Sequence, residues 1–210
     1  MSGSTNNGLA SAKSQSHREM KLVTREQVID TGLNALQEIG ISHICKVCIF
    51  HGGSCCSGCR NLSDQVGCQL RNTSCTAWLC GFLKYMLYKT GLLEEWNDFW
   101  DQVPGQDYRE DFTPEMFFMK KGLDIPDMQE LSAALAEDLD LLAQKQGNPD
   151  FILSLRDKLD KNIDQFYYYT SEPIHKNIKR NIDRLADPFH RFHQALSSYQ
   201  PERSKYQASR

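Results

Sequence analysis

All eight cysteines of this 210-residue chain fall between Cys45 and Cys80. The window reads CKVCIFHGGSCCSGCRNLSDQVGCQLRNTSCTAWLC. Thiols at this density serve as a disulfide framework, a metal site or a redox site, and each use ties the backbone down differently. The compartment separates them. The opening residues, MSGSTNNGLASAKSQSHREM, lack the apolar core of a secretory signal. Ser2 does not fit the N-myristoylation pattern, and no apolar stretch approaches the roughly 20 residues that span a bilayer. The expectation is a cytoplasmic protein with no membrane association, where thiols stay reduced unless they hold a metal or do catalysis. The adjacent pair Cys55-Cys56 weighs further against a disulfide staple.

Close-spaced thiolates select zinc, or iron in iron–sulfur clusters. Cys45, Cys48, Cys55, Cys56, Cys59, Cys68, Cys75 and Cys80 are all candidate ligands. The two C-x2-C pairs, 45/48 and 56/59, are seven residues apart, whereas a zinc ribbon separates them by roughly 15–20. The bacterial ferredoxin spacing fails too, as does the C-x3-C-x2-C arrangement of radical enzymes that cleave S-adenosylmethionine. Four thiolates complete a tetrahedral zinc or a cubane cluster, so eight allow two zinc ions or one cluster with spare thiols. All-cysteine ligation, the surplus of thiols and the missing zinc template favour an iron–sulfur cluster, with zinc as the alternative. His43 and His51 border the window and read as solvated loop histidines. Nothing marks one cysteine as a catalytic nucleophile.

The order Cys45-x2-Cys48, the doublet Cys55-Cys56, Cys59-x2-Leu62, Gly67-Cys68, Arg71 and Cys75 resembles the zinc- or iron-chelating cysteine-cluster proteins of the YkgJ type, over residues 45–80 only. The resemblance implies metal chelation and no particular reaction. It matches best at Cys59, Cys68 and Cys75, to which Cys45, Cys48, Cys56 or Cys80 would add ligands. Asn72 stands where that family usually has Pro. The stretch from Thr24 to Ser42 also resembles the first helix of TetR-type regulators. The cysteine window occupies the place of their DNA-reading helices, so an amphipathic helix with common capping chemistry is the simpler reading.

The remaining pattern is all-α. Residues 1–20 are rich in Ser, Asn and Gly and read as a disordered tail; residues 201–210 read as a flexible one. Residues 21–122 form a cysteine-rich metal-binding region with flanking helices, and residues 123–200 a C-terminal three-helix bundle. Thr24 and Gln27 make a capping box for a helix over 25–39, stopped by Gly40. Residues 45–75 hold too much Gly, Ser and Asn for long regular structure. Helix signals resume at Ala77 and stop at Gly91, and an aromatic stretch from Leu92 through Trp100 follows, ending at Pro104-Gly105. Thr113-Pro114-Glu115 reads as a helix start, and no alternating β run is evident. Apolar stripes predict three long helices, carrying Leu135 and Leu139, Leu155 and Leu159, and Ile178, Ile182 and Leu185. Asp187-Pro188 should kink or break the last one.

The net charge of −3 gives no global case for nucleic acid. His175, Lys176, Lys179, Arg180 and Arg184 form a basic stretch that reads as a solvated helix face, and the acids of 94–115 as a soluble surface. His190 and His193 lack the carboxylate partners of a di-metal bundle site. Tyr167-Tyr168-Tyr169 exceeds what one helix face can bury, so at least one is exposed or at an interface. The expectation is therefore a cysteine-ligated metal or iron–sulfur protein that acts as a binding, sensing or accessory module, its helical bundle engaging a protein partner. The alternatives are a metal- or redox-dependent enzyme using the cluster for electron transfer, and a cluster-bearing nucleic-acid-binding regulator.

Overall fold

The capping box expected at Thr24 is formed, and it sets the direction of everything that follows. Gln27 N donates to Thr24 Oγ1 at 3.1 Å, and Thr24 N donates to Gln27 Oε1 at 3.0 Å. The computed structural model describes residues 20–55, 58–63, 67–68, 70–107, 110–148 and 150–207. In chain order the elements are β1 (Lys21–Thr24), α1 (Arg25–Ile39), α2 (Ile41–Phe50), β2 (Leu62–Ser63), β3 (Gly67–Cys68), α3 (Thr73–Ala77), α4 (Gly81–Thr90), α5 (Leu93–Trp100), β4 (Gln106–Asp107), β5 (Glu110–Asp111), β6 (Met116–Met119), α6 (Gln129–Gln146), α7 (Asp150–Tyr168), α8 (Glu172–Ala186) and α9 (His190–Gln207). The described chain is mostly helical, as expected. No helix among the described residues is long and apolar enough to cross a membrane.

Gly40 ends α1 in the left-handed region, φ 76°, and α2 starts at the next residue. Its carbonyl accepts from the buried Ser132 hydroxyl at 2.6 Å, fixing the α1–α2 corner to α6. The sequence pattern had promised no long regular structure across 45–75. Instead Cys45 and Cys48 ride on α2, which buries Ile44, Val47 and Cys48 on one face. The apolar run ISHICKVCIF outweighs its cysteines, and helix ends only where Gly52 and Gly53 arrive.

Two other expectations fail for identifiable reasons. Thr113 does not start a helix. Its N–H donates to Asp111 Oδ1 at 3.0 Å and its hydroxyl donates to the Pro104 carbonyl at 2.9 Å, so the oxygen is committed away from the following backbone. Met116–Met119 pairs antiparallel with β1 instead, Lys21 opposite Met119 and Thr24 opposite Met116. Phe117 and Met119 are buried while Met116 and Phe118 are exposed, the alternation of a half-buried strand. Trp78 is not helical either. α3 ends at Ala77, and Trp78 is extended, with φ −73° and ψ 129°.

The C-terminal stretch expected as three helices is four. Asp187-Pro188 separates α8 from α9, since proline lacks the N–H that would continue the ladder. The buried Asp138 of α6 accepts from Phe192 N at 3.0 Å, which satisfies one of the orphan donors at the start of α9. Helical backbone in α9 reaches Gln207, into the segment read as a tail, and the N-terminal tail lies outside the described residues up to residue 19. Leu135, Leu139, Leu155, Leu159, Ile178 and Ile182 are buried as the stripes require; Leu185 is partly so. These side chains share one core cluster with Leu36, Phe82, Tyr85, Met86 and Trp96 from the N-terminal part.

The tightest join in that core is between α4 and α7. A Cβ on Gly81 would lie 2.0 Å from the Arg156 carbonyl oxygen and 2.7 Å from Asp160 N, so only glycine admits the approach. Lys84, one turn on, pairs with Asp160 at 2.9 Å and Asp164 at 2.7 Å. Gly81→Ala should therefore cost about 1–3 kcal/mol, read by urea denaturation. Gly122→Ala, which meets nothing within 4 Å, should stay within about 0.5 kcal/mol. Ile182→Asp would bury an unpaired charge at a fully buried position and should unfold the chain. A parent-like melt for Ile182→Asp would show that this stripe does not face the core.

Candidate metal centre

Four cysteines from four separate segments wall one cavity of about 700 Å³. Cys45 comes from α2, Cys55 from the loop after it, Cys75 from α3, and Cys80 is the N-cap of α4. Leu36, Ile41, Leu79, Leu83 and Trp96 give the cavity apolar sides. None of the six described side-chain thiols, Cys48 and Cys59 included, is in a disulfide.

Each wall element is held by its own chemistry. Asn72 caps α3: Cys75 N donates to Asn72 Oδ1 at 2.9 Å, and Asn72 N donates to the Cys75 sulfur at 3.2 Å. A thiol thus fills the place of Glu or Gln in a capping box, and the Asn that departs from the resembled family's Pro fixes Cys75. Asp111 secures the same helix from outside. It accepts from Thr73 N at 3.1 Å, the Thr73 hydroxyl at 2.9 Å and Thr113 N at 3.0 Å. Burial pushes its pKa up, but these hydrogen bonds, led by those of Thr113, outweigh burial and hold it below the ordinary carboxylate value. Trp96 Nε1 donates to the Ala77 carbonyl at 2.9 Å and anchors the end of α3. Beneath it α1 comes very close at Gly32, where a Cβ would lie 2.4 Å from the Trp100 ring and 2.7 Å from Thr76 Cγ2.

The remaining candidates divide. Cys48 is buried on α2 outside the cavity wall; Arg156 Nη1 donates to its sulfur at 3.5 Å. Cys59, half-buried, is not in the wall either. Cys68 lies on β3, where only the backbone is described, and Cys56 falls outside the described residues. Of the three cysteines favoured by the family resemblance, Cys75 alone is described at the cavity. His43 and His51 do not line it; His51 caps α2 with its ring edge against Phe50. His193 bonds the Tyr85 hydroxyl at 3.1 Å, a packing role.

Among the described residues no three His, Cys, Asp or Glu side chains already stand close enough to hold an ion. Thiols are the side chains that thiophilic metals select. Cys80 is buried, and burial pushes its thiol up to about 12, with the charges of Cys55 and Cys45 adding to the rise against the N–H groups of Leu83 and Phe82. A buried thiol without a metal stays protonated; binding a cation would displace the proton and remove the cost of the buried thiolate. Cys45, Cys55, Cys75 and Cys80 are the residues that would hold such a centre.

Arg156 and Lys84 also line the cavity. Local periodicity could not signal this, because the core alone brings α7 beside α2 and α4. Compared with family models, with curated proteins and with solved structures, the chain finds no match.

Two substitutions test how the wall is held. Asn72→Ala should lower stability by about 1 kcal/mol through loss of the cap. Asp111 has a depressed folded pKa, so its contribution is present above the unfolded value near 3.9 and fades as pH falls through the lower folded one. Asp111→Ala should therefore destabilise the chain at neutral pH and flatten the acid side of its stability–pH curve. Parallel acid limbs in denaturant titrations from about pH 6 to pH 2 would contradict this.

Proposed function

We propose that this chain is a cysteine-ligated metal protein, its centre an iron–sulfur cluster held by Cys45, Cys55, Cys75 and Cys80, acting as a binding, sensing or accessory module. The observation that carries this reading is the convergence of four thiols from α2, the following loop, α3 and α4 on the wall of one cavity. Four thiolates match the ligand count of a cluster, and the apolar sides suit a centre kept from water. The bound cluster would supply one-electron transfer or a redox-sensitive structural clamp. Zinc is the alternative occupant and would leave the clamp alone. The helices from α6 onward are the partner-binding element of this proposal, supported by the strongly exposed Tyr168 at the end of α7.

A second reading, a redox enzyme, has its own support. The cavity holds polar and cationic side chains beside the thiols, Arg71, Lys84 and Arg156 among them, as a substrate site would. No residue of α8, which carries the basic stretch, lines it, so the nucleic-acid alternative gains nothing.

Anaerobic purification with metal and acid-labile sulfide analysis tests the reading. Iron with matching sulfide is expected; zinc without sulfide would transfer the site to the alternative, and neither metal would end the proposal. Cys75→Ser and Cys80→Ser should each remove most of the metal and open the region to proteolysis. Full metal content in both variants would refute the ligand assignment.

A further inference from the structure

The thiols occupy only part of the wall they share. At about 700 Å³ the cavity is far larger than an ion or a compact cluster requires, and it falls within the range of roughly 300–1,000 Å³ typical of small-molecule sites. Three cationic side chains line it, in different states. Lys84 is neutralised by Asp160 and Asp164. Arg156 is paired with Asp157 at 2.8 Å. Arg71 is exposed and makes no hydrogen bond or ion pair among the described residues. Arg71 therefore carries the one cavity-lining positive charge without a counter-charge among the described residues. Asp107, the acid in the same wall, has interactions of its own.

The apolar lining of this site includes two tryptophans, one of them only half covered. Trp96 is buried in the wall, its ring nitrogen already bonded to Ala77. Trp78 borders the same cavity yet is 42% exposed. It lies on the extended segment between α3 and α4, directly between two of the cysteines. An indole face at the edge of a cavity, with an unpaired guanidinium in the same wall, combines the two contacts that a flat anion needs. The ring stacks on the aromatic face, and the guanidinium fork binds the carboxylate or phosphate.

We propose that the cavity also binds a small organic anion, with a planar apolar body against Trp78 and its carboxylate or phosphate at Arg71, beside the cysteine-held centre. This deepens the metal-site reading by naming a ligand class for the same cavity. It requires the cavity, Trp78 and Arg71, but it does not require a particular metal.

The test uses the full chain purified anaerobically, with metal and sulfide measured on the same sample. Phenyl phosphate is titrated by calorimetry, and inorganic phosphate and phenol supply the anion and the ring separately. Phenyl phosphate is expected to bind tighter than either fragment. Arg71→Gln should weaken it at least about tenfold, Arg71→Lys less, and Trp78→Ala about fivefold, with circular dichroism and melting temperature unchanged in the Arg71 variants because that side chain is solvent-exposed. The proposal is overturned if phenyl phosphate fails to bind, if Arg71→Gln binds it as well as the parent, or if inorganic phosphate binds equally tightly. Metal present without phenyl phosphate binding would sink this inference and leave the metal reading intact. Arg71-dependent binding to a chain free of metal would do the reverse.

Discussion

Where α4 begins, its backbone touches the backbone of α7. Gly81 permits that contact, since any side chain there would overlap the Arg156 carbonyl. The residue before it is Cys80, the N-cap of α4. One close approach therefore fixes the position of a buried thiol, aligns Lys84 with its two aspartates, and carries Arg156 to the edge of the cavity. The cysteine wall depends on the helical core in this direct sense. Cys45 and Cys48 are placed by the buried face of α2, and Cys75 by the capping of a helix that packs under α1.

Electrostatics follows from the same packing. Burying thiolates is costly unless cations or hydrogen bonds offset them. Around the cavity, the cations of α4 and α7 are already matched by aspartates on α7, and the thiol at Cys80 is held in its neutral form by burial. On the proposed reading, a metal bound here would displace the thiol proton. Arg156 adds a further link, because its guanidinium touches the sulfur of Cys48 across the α2–α7 boundary.

Much of the helical framework was legible in the residues. The Thr24 capping box, the Gly40 stop, the stripes of Leu135, Leu155 and Ile182, and the break at Pro188 all express local rules of capping and periodicity, and the described fold follows them. What local rules cannot contain is competition from distant partners. Thr113 has the chemistry of a helix cap, but Asp111, Pro104 and Thr73 claim its polar groups, and β1 supplies a strand partner for the residues that follow. The glycine-rich composition of 45–75 obscured the apolar face of α2. At the site, spacing identified the cysteines as a set, whereas only tertiary packing separates those that share a cavity from Cys48. Arg156 lies over a hundred residues from Cys48 in sequence, and no pattern along the chain links the two.

The central proposal is that metal binds in the cavity around which the fold gathers thiols from separate segments. X-ray absorption at the metal edge of the anaerobically purified chain tests it most directly, with a companion variant in which Cys48 and Cys59 are both serine. The account predicts a first coordination shell of sulfur alone, unchanged in the companion variant because Cys45, Cys55, Cys75 and Cys80 supply all its protein ligands. A shell containing protein nitrogen or oxygen, or one lost with Cys48 and Cys59, would contradict it.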